Sequence, residues 1–398
     1  MTLPRVDVDL DLVEHNTRVL VDRLAPRGIR VTGVTKAVLG SPGVARAMVR
    51  GGASGLADSR VENLSRLTQV DGPTARTLIR SPMVSQAARV VTTATTSLNT
   101  ERAVIDALDT AAARLFRIHD VVLMVELGDL REGIPADELL AAAGTVLQRR
   151  SLRLVGIGAN LACQNGVIPD DVNMAELTRL VGEVERVHGI HLRTISGGNS
   201  ASLAWALTTE ATHRVDELRL GEAILLGTEP SHRTPIEGLS GAAFRLVGEV
   251  IEVRDKPAQP WGDRAQTAYG DPAVRTGTGT IHQAIVALGR QDADPEGLHP
   301  VDGITILGAS SDHLVLDIGD HDLSVGDEVG FGLGYGALMR AMTSPFVSTL
   351  EHTAGAARPD RAMLRETITH GDACASRPGR GWSPLRGQAL LACEGCAT

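Results

Sequence analysis

Arg30-Val-Thr-Gly-Val34 is an apolar, β-branched run, and it ends at Thr35-Lys36, a single amine at the mouth of a strand. Gly40-Ser-Pro-Gly43 follows as a loop, and Pro42-Gly-Val-Ala-Arg-Ala-Met-Val-Arg50 reads as a short helix opening on proline. Strand, loop and helix make one unit, and the unit recurs. Asp11 to Leu24 carries apolar residues at helical spacing. Asp120 to Leu127 is a strand ending in a charged turn, and Pro135 to Arg149 is an Ala/Leu-rich helix. Leu152 to Ile157, the helix Val172 to Val187, Arg193 to Ile195, a helix from about Ala201 and the strand Glu217 to Leu220 complete the series. Alternating β and α over residues 11–230 predicts a parallel sheet, with a (β/α)8 barrel as the leading form. A doubly wound sheet is the alternative, but no early Gly-x-Gly-x-x-Gly turn supports it.

From about residue 240 the texture changes to strands without helices. Phe244 to Glu252, Thr280 to Leu288, Asp302 to Leu307, Leu314 to Ile318 and Glu328 to Phe331 are short and β-rich. A second, all-β domain is expected over 240–347, with residues 1–10 pairing to it and tying the chain ends together. Residues 348–398 are rich in Ala, Gly, Arg and Pro, with Arg361 to Thr369 the one periodic stretch, and are expected to be loosely held.

A chain of 398 residues is long enough for two domains and a substantial core. Its formal net charge of -9, spread over mixed signs, argues against nucleic acid or a membrane surface as partner. No apolar run approaches the roughly 20 residues that span a bilayer. Four cysteines do not make a disulfide framework in a chain of this size, so a reducing cytoplasm is the expected compartment. Cys393-Glu-Gly-Cys396 has half the spacing of a zinc ribbon, with too few partners to complete one, and no metal is expected. Only two tyrosines, Tyr269 and Tyr335, are available to any tyrosine chemistry.

Barrel enzymes carry their sites at the C-terminal ends of the strands, so those ends form one list. Lys36 can condense with an aldehyde cofactor as a Schiff base, although most strand-end lysines are merely solvated. Ser196-Gly-Gly-Asn-Ser-Ala-Ser202 leads into a helix, either as a phosphate site or as a plain cap at Asn199 or Ser200. Arg219 sits on an apolar strand, where an unpaired guanidinium is rare. Arg131 can clamp a carboxylate bidentately or form a salt bridge with Asp129 or Glu132.

In this order, Lys36, Arg131, Gly197-Gly-Asn-Ser200 and Arg219-x-Gly221 resemble the alanine racemase-like, fold-type III pyridoxal phosphate enzymes. Glu126-Leu-Gly-Asp-Leu-Arg-Glu-Gly133, Gly289-Arg-Gln-Asp292, Ser310-Ser-Asp-His313 and Tyr335-Gly-Ala-Leu-Met-Arg-Ala-Met-Thr-Ser344 look like the ornithine racemase branch. The resemblance covers about residues 4–347. It implies pyridoxal 5'-phosphate held covalently by Lys36, with Arg219 facing the pyridine nitrogen. A guanidinium there keeps that nitrogen unprotonated and the ring a weak electron sink, which suits a racemase. Asn199, Ser200 and the backbone of Gly221 and Glu222 to Ala223 would cradle the phosphate, with Tyr335 nearby. Arg131 would hold the substrate carboxylate or support the cofactor's phenolate oxygen, and Ser311 and Asp312 would contact the substrate from the second domain of a partner in a head-to-tail homodimer.

The departures matter as much. Alanine racemases place a tyrosine shortly after the lysine, where this chain has Gly40. Their second base is a tyrosine in Gly-Tyr-x-Asp, whereas this chain reads Gly289-Arg-Gln-Asp292, and arginine is effectively never deprotonated. Asp292, His313, Cys163 and Tyr335 are the candidates for the opposite face, with Asp292 and His313 preferred. The histidine that leans on the pyridine arginine is replaced by Asn160. Asp312, Asp292, Asp294, Asp129 and Glu132 supply more carboxylates near the mouth than alanine needs, which points to a basic substrate such as ornithine. A carrier without turnover and a decarboxylase are the rivals; Arg219 speaks against the decarboxylase.

Overall fold

The computed structural model describes residues 2–71, 75–271 and 275–353. The first strand, β1 (Arg5–Asp9), feeds the helix Leu10–Leu24, whose N-cap is Asp9: its carboxylate accepts from the amides of Asp11 and Leu12, each at 3.1 Å. Eight parallel strands then close into a barrel. They are β2 (Arg30–Val34), β3 (Gly55–Asp58), β4 (Ala75–Leu78) and β5 (Thr96–Asn99), then β6 (His119–Met124), β7 (Leu152–Gly158), β8 (Thr194–Ser196) and β9 (Glu217–Leu220). Pairing of Arg30 with Glu217 and of Thr32 with Arg219 joins the last strand to the first. The (β/α)8 expectation therefore holds.

Most of the apolar core lies between the strands and the surrounding helices. Inside the barrel, Leu98, Val122, Met124 and Val155 form a small separate cluster, and Thr32, Thr77, Thr96 and Thr194 share the interior with it. The barrel interior is thus partly polar, which is where this fold departs from a filled hydrocarbon core.

The second domain is one antiparallel-rich sheet. Its strands are β10 (Phe244–Pro257), β11 (Thr280–Val286), β12 (Leu298–His299), β13 (Thr305–Ala309), β14 (Leu314–Asp317), β15 (Glu328–Leu333) and β16 (Ser348–His352). The order is β12-β15-β10-β11-β14-β13, and β1 lies between β10, antiparallel to it, and β16, parallel to it. Buried Arg5 on β1 bonds both Asp7 at 2.7 Å and Glu328 of β15 at 2.8 Å. Asn16, fully buried, donates to the carbonyls of Ile224 at 2.9 Å and Ser240 at 2.8 Å, and so clamps the exit of the barrel to the entry of the sheet.

Several expectations change. The stretch after 240 is not free of helices: Tyr335–Thr343 is helical, burying Ala337, Leu338 and Ala341 along one face. Residues 348–352, expected to begin a loose tail, form β16 because β1 offers them a free edge. The remainder of the tail, including Arg361 to Thr369 and Cys393 to Cys396, lies outside the described residues. The helix expected from Pro135 begins only at Leu139. Among the described residues no helix is long and apolar enough to cross a membrane, and no His, Cys, Asp or Glu group gathers as a metal site would require.

Candidate active site

Lys36 opens a single 3-10 turn, Lys36–Val38, just past the end of β2. The residue before it is held firmly. Thr35 donates its amide to Ala57 O at 2.9 Å and its hydroxyl to Asp58 Oδ2 at 2.8 Å. Asp58 is fully buried at the end of β3, and its other oxygen accepts from the Arg60 amide at 2.9 Å and Asn63 Nδ2 at 3.0 Å. Burial nevertheless pushes its carboxyl upward.

Gly40 follows in left-handed backbone (φ +64°), and a Cβ there would meet the Asn63 carbonyl oxygen at 2.7 Å. The missing tyrosine after the lysine thus has a local reason, since the chain offers no room for a side chain at this position.

Glu222, at the start of the turn after β9, is close enough to Lys36 to feel its charge. It is largely buried, paired with Arg233 at 3.0 Å, and burial raises its carboxyl even though the charges of Arg233 and Lys36 oppose that. Tyr335 arrives from the second domain of the same chain, at the start of the helix Tyr335–Thr343, which packs on the Lys36 turn. Its phenol is driven up by burial and by the nearby charges of Glu222, Cys163 and Asp58. Tyr335 Oη is buried with no hydrogen-bond partner among the described residues, and Asn160 Nδ2 is in the same condition.

The Ser196–Ser202 segment is both a cap and a staple. Asn199 Oδ1 accepts from the Ala201 amide at 2.8 Å, while its Nδ2 donates to Leu161 O at 2.8 Å and Asn160 Oδ1 at 3.2 Å. Buried Ser200 turns its hydroxyl to the amides of Gly221 at 3.4 Å and Ala223 at 3.2 Å. Two backbone donors from the end of β9 therefore converge with a serine oxygen.

Arg219 is 4% exposed. It donates to Ser196 Oγ, to Ala159 O at 2.9 Å and to Asn160 Oδ1 at 3.5 Å. Burial pulls the Arg219 pKa down and Glu217 acts in the opposite sense.

Arg131 pairs with Glu132 rather than Asp129, through Nη2 and Oε1 at 2.5 Å. Asp129, read from the sequence as a carboxylate at the mouth, is committed elsewhere. It is 1% exposed and accepts from the amides of Cys163, Gln164, Asn165 and Val167 at 2.9–3.3 Å. Burial works against its charge, but those four amides outweigh it and hold the carboxyl below its usual range. Asp129 anchors the Asn160–Gly166 loop and is no partner for a ligand.

The remaining candidates form a second cluster in the β domain. The turns Gly289–Asp292 and Ser310–His313 lie face to face, with Arg290 N on Ser310 O at 2.9 Å, Gln291 N on Ser311 O at 3.1 Å and Gln291 Nε2 on Asp312 Oδ1 at 2.6 Å. Asp292 is buried, accepts from the Gly289 amide at 2.9 Å, and is raised by burial and then by Asp312. His313 is exposed, with Nδ1 3.5 Å from Ser310 Oγ. No hydrogen bond or ion pair among the described residues links this cluster to Lys36 in one chain.

Two site residues escaped the sequence reading. Asp58 went unseen because its strand, Gly55-Leu-Ala-Asp58, is too short and mixed to register. Glu217 was within a recognised strand, and its signal was available: two residues from Arg219, it must point the same way.

Residues 8–230 match the family model described as the N-terminal domain of alanine racemase. The chain belongs to this family. It is an amino acid racemase whose cofactor is pyridoxal phosphate. A lysine racemase from Thermotoga maritima is 36% identical over 351 residues, 87% of this chain and 98% of that protein. An ornithine racemase from Acetoanaerobium sticklandii is 33% identical over 348 residues, 86% of this chain and 98% of the relative. Alanine racemase from Streptomyces coelicolor superimposes with a TM-score of 0.71 at 20% identity, covering 87% of this racemase and 97% of its own chain. That likeness concerns the fold.

Proposed function

We propose that this racemase interconverts the L and D forms of a basic amino acid, ornithine first and lysine second. The carrying observation is the meeting of Lys36, Ser200, Arg219 and Tyr335 at one end of the barrel, in a chain whose relatives are a lysine and an ornithine racemase. These residues fit pyridoxal phosphate. Ser200 with the amides of Gly221 and Ala223 suits its phosphate, and the uncommitted Tyr335 Oη and Asn160 Nδ2 gain an acceptor from an anionic ligand. Asn199 and Glu222 would shape the same pocket, and Arg219 would face the pyridine nitrogen.

Bound there, the cofactor supplies an electron sink that acidifies the substrate Cα–H. Lys36 Nζ moves the proton on one face of Cα. Arg131 would steady the substrate carboxylate, and Arg219, buried and held by Ser196 Oγ, Ala159 O and Asn160 Oδ1, would face the ring. The opposite face belongs to Asp292 or His313, brought with Ser311 and Asp312 by the β domain of a second copy in a head-to-tail dimer. The exposure of Asp312 and His313 in the single chain favours that arrangement. Exposed Asp312 also suits the distal ammonium of ornithine. A second reading gives the opposite face to Cys163, because its sulfur lies 3.4 Å from Asn199 within the same chain.

Incubation with L-ornithine and L-lysine in deuterated water, followed by chiral analysis, tests the reading. Deuterium at Cα with loss of optical rotation supports it, and carbon dioxide release or absence of exchange overturns it. His313→Gln, Asp292→Asn and Cys163→Ser, assayed side by side, separate the candidates for the second proton.

A further inference from the structure

Glu217 and Arg219 enter the barrel interior from the same strand, while Leu218 and Leu220 are buried on its outer face. Between the two inward side chains lies one hydroxyl. Arg219 Nη1 donates to Ser196 Oγ, and Ser196 Oγ donates to Glu217 Oε2 at 2.5 Å. The second carboxylate oxygen, Oε1, accepts from Thr32 Oγ1 at 2.6 Å. A serine hydroxyl has a single proton, and an ionised carboxylate only accepts. Glu217 therefore draws the proton toward itself and leaves the Ser196 lone pairs facing the guanidinium.

The other partners of Arg219 cannot replace this contact. Ala159 O and Asn160 Oδ1 are neutral, Arg131 adds a like charge, and Cys163 and Glu132 act on Arg219 in the same sense as Glu217 but more weakly and without a hydrogen bond to it. Glu217 is the anion nearest in the hydrogen-bond chain, and Arg30, Thr77, Thr96 and Thr194 line a polar cavity that it shares. A carboxylate on a polar floor, a serine above it and a buried arginine at the top form a column through the barrel.

We propose that Glu217 is a positioning residue for the racemase, acting through the Ser196 hydroxyl to fix the orientation of the Arg219 guanidinium. It rests on the cofactor reading above, in which Arg219 meets the pyridine nitrogen. Glu217→Gln removes the negative charge that holds the Ser196 proton, and Ser196→Ala removes the hydroxyl that reaches Arg219.

The test compares full-length protein loaded with pyridoxal phosphate as wild type, Glu217→Gln and Ser196→Ala. The readout is the visible absorption of the bound cofactor titrated with pH, together with kcat and KM. Both variants should displace the spectroscopic titration midpoint by about one unit and lower kcat about tenfold with KM within about twofold. The double variant should do no more than either single one. Should Glu217→Gln fail to fold, Ser196→Ala carries the same expectation alone. A lower melting temperature with an unchanged titration curve in the variants would reduce Glu217 to a structural role and overturn the inference. A wild-type protein with no visible band would instead sink the cofactor reading itself, and the inference with it.

Discussion

The Thr35 hydroxyl and the Asp58 carboxylate share a 2.8 Å hydrogen bond that ties the residue before Lys36 to the end of the next barrel strand. Both groups are buried, so neither has water to fall back on. Thr35→Val keeps the shape and removes the donor. The variant should lose about 1–3 kcal/mol of stability, and its affinity for pyridoxal phosphate should fall because the Lys36 turn is no longer pinned. Equilibrium dialysis of the apoprotein against the cofactor checks this, and unchanged affinity would detach Asp58 from the site.

Gly40 lies in backbone that L side chains avoid, against the Asn63 carbonyl. Gly40→Ala should destabilise the protein by about 1–3 kcal/mol. Urea denaturation measures it. A neutral substitution would mean that the turn opens without penalty.

Lys36→Ala should reduce racemisation by about 100- to 10,000-fold and abolish the borohydride-trapped cofactor adduct. If a second copy completes each site, mixing Lys36→Ala with the Asp292→Asn, His313→Gln double variant should restore roughly a quarter of wild-type activity through hybrid dimers. Persistently inactive mixtures would place both halves of the site in one chain, in favour of Cys163.

Buried His119 holds Ser97 Oγ at 2.8 Å, and burial lowers its pKa to about 4 against the pull of Asp120. In the unfolded chain it titrates near about 6.5. Between those values the unfolded state binds a proton that the folded state does not, so stability rises with pH. The contribution is complete above about pH 6.5 and is lost as pH falls toward 4, by up to about 3 kcal/mol. Urea midpoints at pH 7 and 4.5 should converge in His119→Gln relative to the wild type. Equal declines in both proteins would assign the acid sensitivity elsewhere.

What could be read in advance followed from periodicity and from punctuation. Arg30–Val34, Pro42–Arg50 and Glu217–Leu220 were legible to the residue because apolar runs, a proline and flanking turns mark them. Ala75-Arg-Thr-Leu78 and Thr96-Ser-Leu-Asn99 were not, since four-residue strands with polar inward positions have no apolar signature. In the site, Lys36, Ser200, Arg219 and Tyr335 were visible as strand-end or motif residues. Asp129 was misjudged because an acid beside an arginine looks like its partner, whereas four amides from a distant loop had a stronger claim. Glu217 shows the converse: a charge hidden inside a recognised strand, meaningful only once the barrel closes and Ser196 comes between it and Arg219.

Parallel pairing of β1 with β16, beside β10, sets an order of events on the ribosome. Arg5 emerges first but must wait for Val247, and then for Ser348, before its strand has neighbours. The barrel can close meanwhile, so the sheet is the last part to assemble and a nascent chain stalled short of Ser348 would expose an unfinished edge to any strand nearby.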